Sequence, residues 1–425
     1  MASTHSGPLL AGCLSAFLLA ACGGGGGGSD ATPVATGGPP QTDSAPVASG
    51  PPSPTPASPP ASSAPPTSAA PVASTAPTPR ITRLIVAGDS LADVGTFGFK
   101  FTVQDTGNAA GFPVLPDLVG AAHGLPGGCS HFMDDGTGGV VGRGDPRCTN
   151  FAVGGSVILS GSGPQGIPFQ LNEAAAALGG RFQPGDLLLV DGGGNDASEL
   201  AAAYVVGVLS RTGLLAYIAF LAREVSVGDL LGTVPGSNSL ARTTLLYMEK
   251  AADTLADAIR DRALARGAAQ VAVLNVPDVT RTPRFTTAYL KLVQEKGTDE
   301  AAAVLATVRQ AVGAFNARLQ GRLQGDPRVV LVDLHAAIDE ELTHGATYGL
   351  TDVAHAACPV TGLSSAGLPE WDLRTCTSAA LDAATGATPG WWSTWAFSDG
   401  FHPTPAGHRL LAATVNRSLA AAWLP

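Results

Sequence analysis

Positive charge is what this sequence has least of. Its 425 residues carry 24 Lys and Arg against 34 Asp and Glu, a formal net charge of -10, and all charged residues together make up 14% of the chain, against about 25% in an ordinary soluble domain. A nucleic-acid-binding surface needs a concentration of basic side chains, so no nucleic-acid partner is expected. Metal-ligand spacing is missing too: the six cysteines include no Cys-x-x-Cys pair, and no metal is expected. A convincing membrane span is also lacking. The long apolar stretch from Ala201 to Ala222 has Arg211 in its middle, where a charge would be costly in a bilayer. The six consecutive glycines from Gly23 have no preceding strand and no following Gly-Lys-Ser/Thr, which excludes a phosphate-binding loop.

What is there is unevenly spread. Residues Pro8 to Ala21 form an apolar run ending Leu19-Ala20-Ala21-Cys22, too short to span a bilayer stably and ending in the small residues of a signal peptide. Leu-Ala-Ala-Cys resembles a bacterial lipobox, which implies cleavage before Cys22 and lipid on its sulfur and amine. One departure is that no Lys or Arg precedes the apolar core. The expectation is therefore a signal peptide over 1–21 and an exported chain, membrane-anchored through Cys22 or plainly secreted. Gly23 rather than Asp after Cys22 leans toward the outer membrane or cell surface. Residues 22–80 are Gly, Pro, Ser, Ala and Thr with almost no large apolar side chain; such a segment cannot offset the entropy of its own ordering and reads as a tether. The folded part is 81–425, with an apolar insertion near 201–245. Four cysteines fall in it, and the simplest pairing is Cys129 with Cys148 and Cys358 with Cys376, in keeping with an oxidising compartment. The other two connectivities stay open.

The folded part alternates strands and helices. Strands are expected at Arg83–Ala87, Asp186–Asp191, Gln270–Val276 and Arg328–Leu334, with a further short one at Thr149–Val153. Their hydrophobicity is continuous rather than alternating, as a parallel sheet covered on both faces requires. Helices are expected at Met248–Arg266 with Gly267 as stop, at Thr298–Leu323 with Thr298 as cap, and at Pro405–Trp423. The fold class is α/β: a three-layer α/β/α sandwich with a mainly parallel, flavodoxin-like sheet.

Sites in such sheets lie just past the carboxyl ends of the strands. The first strand runs into Gly88-Asp89-Ser90-Leu91, where the glycine permits a sharp turn and displays Ser90 at the mouth of the sheet, near backbone N–H donors. The second runs into Asp191-Gly192-Gly193-Gly194-Asn195-Asp196. Glycines there bring backbone close to a substrate and the Asn195 amide can donate to a developing oxyanion; the plainer alternative is a turn with Asn195 left-handed and Asp196 as helix cap. Near the C-terminus, Asp399-Gly400-Phe401-His402-Pro403 is kept out of helix by Gly400 and Pro403. Asp399 can fold back onto one imidazole nitrogen of His402 and leave the other to take a serine proton. Asp352-Val353-Ala354-His355 has the same spacing, but it precedes Cys358 and no closing helix follows it. His335 and His408 read as structural.

These segments, in this order, resemble the SGNH hydrolases, the GDSL family of esterases and lipases, over Ile81 to about Pro425. The resemblance assigns the nucleophile to Ser90, a backbone oxyanion donor to Gly155 through Asn150-Phe151-Ala152-Val153-Gly154-Gly155, a side-chain donor to Asn195, and acid and base to Asp399 and His402. It implies ester hydrolysis through an acyl-enzyme on Ser90, with the Ser90 N–H also facing the oxyanion. No cofactor is implied. The expected substrate is a fatty-acyl or aryl ester, and the expected chain is a monomer. Tyr204, Tyr217 and Phe220 in the insertion, with Trp391, Trp392 and Trp395 before the Asp399 turn, are candidates for the substrate pocket; a buried helix pair and ordinary Trp packing are the plainer readings. A polysaccharide O-acetylesterase using the same residues is the nearest alternative, and a non-catalytic surface binding protein the alternative of another class.

Overall fold

The computed structural model describes residues 80–226, 228–229, 237–364, 368–384 and 386–423. The expected signal peptide, Cys22 and all of the tether but Arg80 lie outside them.

Four strands form the central sheet: β1 (Arg83–Ala87), β2 (Asp186–Val190), β3 (Gln270–Leu274) and β4 (Val329–Val332). They pair in that order and are all parallel, with Ile85 beside Leu188, Leu188 beside Val271, and Val271 beside Val329. The fifth expected strand is reduced to one parallel bridge on the free edge of β1. There the Val86 N–H donates to the Thr149 carbonyl at 3.0 Å and the Phe151 N–H to the Val86 carbonyl at 2.7 Å. Counting that edge, the first segment lies between the second and the third, the doubly wound order expected. β1 ends where its apolar run does, while β2, β3 and β4 stop one or two residues short of theirs, where the chain turns out of the ladder.

Among the described residues, nine helices of eight or more residues accompany the sheet: α1 (Leu115–Ala122), α2 (Ile167–Ala177), α3 (Gly194–Leu209), α4 (Arg211–Leu221), α5 (Ser237–Arg262), α6 (Pro283–Lys296), α7 (Thr298–Leu323), α8 (Leu334–Thr343) and α9 (Pro405–Trp423). Alternate strand residues point to opposite faces. Ile85, Leu188, Val190, Val271 and Val273 join the apolar faces of α2, α5 and α7 in one core. Val86, Leu187, Leu189, Ala272 and Leu274 join α1 and α9 in the other. Residues of β2 and β3 are buried throughout, which is why neither shows a polar face.

Three boundaries differ from the sequence reading. Helix α5 begins at Ser237, well before Met248, because Leu240, Leu245 and Leu246 also pack on the first core. Thr298 is the first residue of α7 rather than its cap; Gly297, at φ +87°, stands at the cap. The apolar stretch after Asn195 is the helix pair α3 and α4, broken at Ser210, whose hydroxyl accepts the Gly213 N–H at 3.0 Å. A Cβ on Gly207 would lie 3.0 Å from that of Tyr217, so the glycine is what lets the two helices lie this close. Among the described residues no helix is long and apolar enough to cross a membrane.

A smaller layer stands beside the sandwich. Asp352–Ala356 (β5) runs parallel to Trp395–Phe397 (β6). Beneath them Val103, Ala357, Leu373, Leu381 and Trp392 pack around the Cys358–Cys376 disulfide. The other disulfide is Cys129–Cys148, so both local pairings are formed.

Candidate active site

Ser90 follows β1 directly and is 5% exposed. A Cβ on Gly88 would sit 2.9 Å from the Asp191 Cβ, so a side chain there would push apart the ends of β1 and β2. The imidazole of His402 meets the serine, with Nε2 2.9 Å from Ser90 Oγ. Its Nδ1 is 2.8 Å from Asp399 Oδ2, while Asp399 Oδ1 accepts the N–H groups of Phe401 and His402 at 2.8 and 2.7 Å. Burial alone would raise the Asp399 carboxyl. The charge of His402 and these hydrogen bonds outweigh it and hold the group below the usual carboxylate range.

The turn that carries both groups is fastened at its base. The Ser398 N–H donates to the His402 carbonyl at 2.8 Å, the Ser398 hydroxyl to the Pro403 carbonyl at 2.9 Å, and the Cys358 N–H to the Ser398 carbonyl at 2.7 Å. Asp399 and His402 are therefore held by the small disulfide-bonded layer, and Ser90 by the main sheet.

Opposite lies a set of donors. Asn195 is in the first turn of α3, and its Nδ2 donates to the Ser156 carbonyl at 2.9 Å, which uses one of its two hydrogens. Gly155 has φ +80°, a conformation that favours glycine. Among the described residues the N–H groups of Ser90 and Gly155 make no hydrogen bond. A Cβ on Gly154 would overlap the Phe101 ring at 2.1 Å. The left-handed residue before α3 is Gly193, at φ +98°, not Asn195. Nor does Asp196 cap the helix: its two oxygens accept the Ile158 and Leu159 N–H groups, each at 2.9 Å, and burial pushes its pKa up to about 6. Residues 156–159 are thus stapled to α3 by Asn195 and Asp196 together. If the free amide hydrogen of Asn195 meets the oxyanion, Asn195→Ala should lower kcat on the order of 10²–10³-fold in ester hydrolysis, with KM little changed.

Several residues that organise the site carry no motif. Gln170 in α2 is fully buried; its Oε1 accepts the Gly88 N–H at 2.7 Å and its Nε2 donates to Ser156 Oγ at 2.9 Å, joining the serine's turn to the donor loop. Its signal was a lone amide in an otherwise apolar helix face. Asp93 accepts from Gly95, Thr96 and Gly154 and fixes the chain after Ser90. Asp89 and Asp191 are a buried carboxyl pair beside the serine. Burial and then the Asp191 charge push Asp89 well up, and burial raises Asp191 as well.

The aromatic candidates sit elsewhere than expected. Tyr217 and Phe220 are buried in the first core, with Tyr204 packed 5.3 Å from Tyr217 between ring centroids. Trp392 is buried in the disulfide layer with Nε1 bonded to Asp382, and Trp391 donates to the Leu381 carbonyl and packs edge-on to Trp395. The rings that flank the imidazole are others: Phe101 lies 5.1 Å from His402 between centroids and groups with Phe97 and Phe99. The alternating Phe97-Gly98-Phe99-Lys100-Phe101 soon after Ser90 was the signal for them.

Asp352 and His355 repeat the acid–base geometry. Their Nδ1 to Oδ2 distance is 2.8 Å, and Asp352 Oδ1 accepts the Ala354 and His355 N–H groups at 2.9 and 2.8 Å. The His355 side chain is 75% exposed, however, and among the described residues no hydroxyl is hydrogen-bonded to it. His335 is half-buried with Nδ1 on the Val276 carbonyl, and His408 is fully buried, its pKa driven down to about 3 by burial.

The family model described as GDSL-like Lipase/Acylhydrolase matches residues 84–415. Among solved structures, an extracellular lipase from Streptomyces rimosus is similar at 16% identity and TM-score 0.36, over 79% of this chain and 99% of that one. A putative GDSL-like lipase from Parabacteroides merdae is similar at 13% identity and TM-score 0.30, over 80% of this chain and 98% of that one. No curated protein matches.

Proposed function

Because the chain belongs to the GDSL-like lipase/acylhydrolase family and is a carboxylic ester hydrolase with the SGNH hydrolase fold, we propose that it cleaves fatty-acyl or aryl esters through an acyl-enzyme on Ser90. The observation that supports this reading is the unbroken row from Ser90 Oγ through His402 to Asp399. His402 Nε2 takes the Ser90 proton as Oγ attacks the ester carbonyl, and Asp399 keeps the hydrogen on Nδ1 and stabilises the imidazolium. The negative oxygen of the tetrahedral intermediate is met by the N–H groups of Ser90 and Gly155 and the free amide hydrogen of Asn195. His402 then protonates the leaving alcohol. Water, deprotonated by the same nitrogen, attacks the acyl-enzyme and releases the acid.

The Phe101 ring beside the imidazole, with Phe97 and Phe99 packed on it, favours an apolar acyl or aryl group over a bare acetyl. A fluorophosphonate probe should label Ser90, and turnover of p-nitrophenyl esters should rise from two carbons to longer chains. A preference for acetyl esters with release of acetate from acetylated xylan would instead favour the O-acetylesterase reading, and absence of labelling would leave the binding-protein reading. We propose further that the chain is exported and works as a monomer, anchored by lipid on Cys22 with 22–80 as spacer. The two disulfides support an oxidising compartment.

A further inference from the structure

Two buried nitrogens next to the Asp399–His402 turn have no hydrogen-bond partner among the described residues, Arg284 Nε and Trp371 Nε1. They belong to one group. The Arg284 N–H donates to the Gly400 carbonyl at 2.9 Å, and the Arg284 Cζ lies 6.0 Å from the centre of the Trp371 ring. That ring is pressed on Gly400 so closely that a Cβ there would fall 2.4 Å from it. Gly400 is two residues from His402, and Arg284 stands in the first turn of α6 after the carboxyl end of β3, the edge of the sheet where Ser90 also lies.

Burying a donor without an acceptor costs free energy, and more when the donor is charged. Several other arginines of the fold have carboxylate partners: Arg83 with Asp186, Arg281 with Asp339, Arg309 with Asp278, Arg318 and Arg322 with Asp253, and Arg328 with Asp326. The chain has ten more acidic than basic groups, yet among the described residues no carboxylate pairs with Arg284. Guanidinium stacked on an indole, with the indole N–H left over, is a fork suited to a planar or tetrahedral oxyanion.

We propose that Arg284 and Trp371 form a subsite for an anionic oxygen group, carboxylate or phosphate, carried by the ester substrate away from its scissile bond. The subsite rests on the ester-hydrolase reading of Ser90 and His402 and narrows it: the preferred ester has an apolar part against Phe97, Phe99 and Phe101 and an anionic end toward Arg284. Both sources of the anion share one chemistry. A dicarboxylic half-ester brings a carboxylate on the acyl side, and a phosphatidic acid brings a phosphate on the alcohol side.

The test measures kcat/KM of the full chain for three esters: neutral p-nitrophenyl butyrate, anionic mono-p-nitrophenyl glutarate, and short-chain dibutyryl phosphatidic acid. In Arg284→Gln the ratio of anionic to neutral kcat/KM should fall about tenfold or more for at least one anionic ester, chiefly through KM. The ester that responds identifies the source of the anion. Arg284→Lys should recover part of the ratio. Trp371→Phe, which keeps one aromatic ring but removes the N–H with the rest of the indole, should lower it in the same direction and stands in for Arg284→Gln if that variant does not fold. A ratio unchanged within twofold for both anionic esters, in a variant that still hydrolyses the neutral one, overturns the subsite alone. If the wild-type chain hydrolyses none of the three esters, the hydrolase reading fails and the subsite with it.

Discussion

Ser90→Ala should lower kcat for p-nitrophenyl butyrate on the order of 10⁶-fold, the loss typical when a member of a serine triad is removed. The reason is geometric. Ser90 Oγ is the hydroxyl within reach of His402 Nε2, at 2.9 Å, and water admitted in its place is neither fixed nor followed by a covalent intermediate. The far-ultraviolet dichroism and melting temperature should match wild type, since the deleted oxygen bonds only His402. Turnover within tenfold of wild type in the purified variant would remove Ser90 from the chemistry.

Asp399→Asn should lower kcat roughly 10⁴-fold. The amide would have to turn its oxygen to the Phe401 and His402 N–H groups that Oδ1 now accepts. Its NH₂ would then face Nδ1 and place the imidazole hydrogen on Nε2, where it can no longer accept the Ser90 proton. Raising the pH should restore little, because the defect is a tautomer and not a charge. Asp352→Asn is the matched control. It makes the same change in the same local geometry but with no serine at the far nitrogen, and kcat should stay within twofold of wild type. Comparable losses in the two variants would mean that the turn at Asp399 has no special part in the reaction.

The contrast between those two turns shows what could be read in the sequence. Asp-x-x-His describes a local backbone trap for an imidazole, and both copies fold as the spacing implies. The sequence separates them by local context, since the Asp352 copy precedes Cys358 and lacks a closing helix, whereas in the fold they differ in that only His402 meets Ser90. Strands, the α/β class and both disulfides were legible because they follow from continuous apolar runs and nearby cysteines. Gln170, Asp93 and the Asp89–Asp191 pair were not. Their roles come from meetings across the sheet ends, which no local pattern records. The pocket aromatics follow a related rule: a Tyr or Trp near a motif in sequence is as readily packed into the core as aimed at the site. Tyr217 faces α5 through Thr244, whereas Phe101 reaches His402 because Gly154 leaves room for its ring.

The serine and histidine that meet at 2.9 Å are 312 residues apart in the chain, and the layers that hold them have separate apolar clusters. Loop closure over such a distance is entropically late in folding. Ser90 cannot meet His402 until the C-terminal turn has docked, and that turn is steadied by the Cys358–Cys376 cystine, which forms only under oxidising conditions. Esterase activity is thus a reporter for the completed chain. A nascent or reduced molecule can have its sheet in place and still be a latent enzyme.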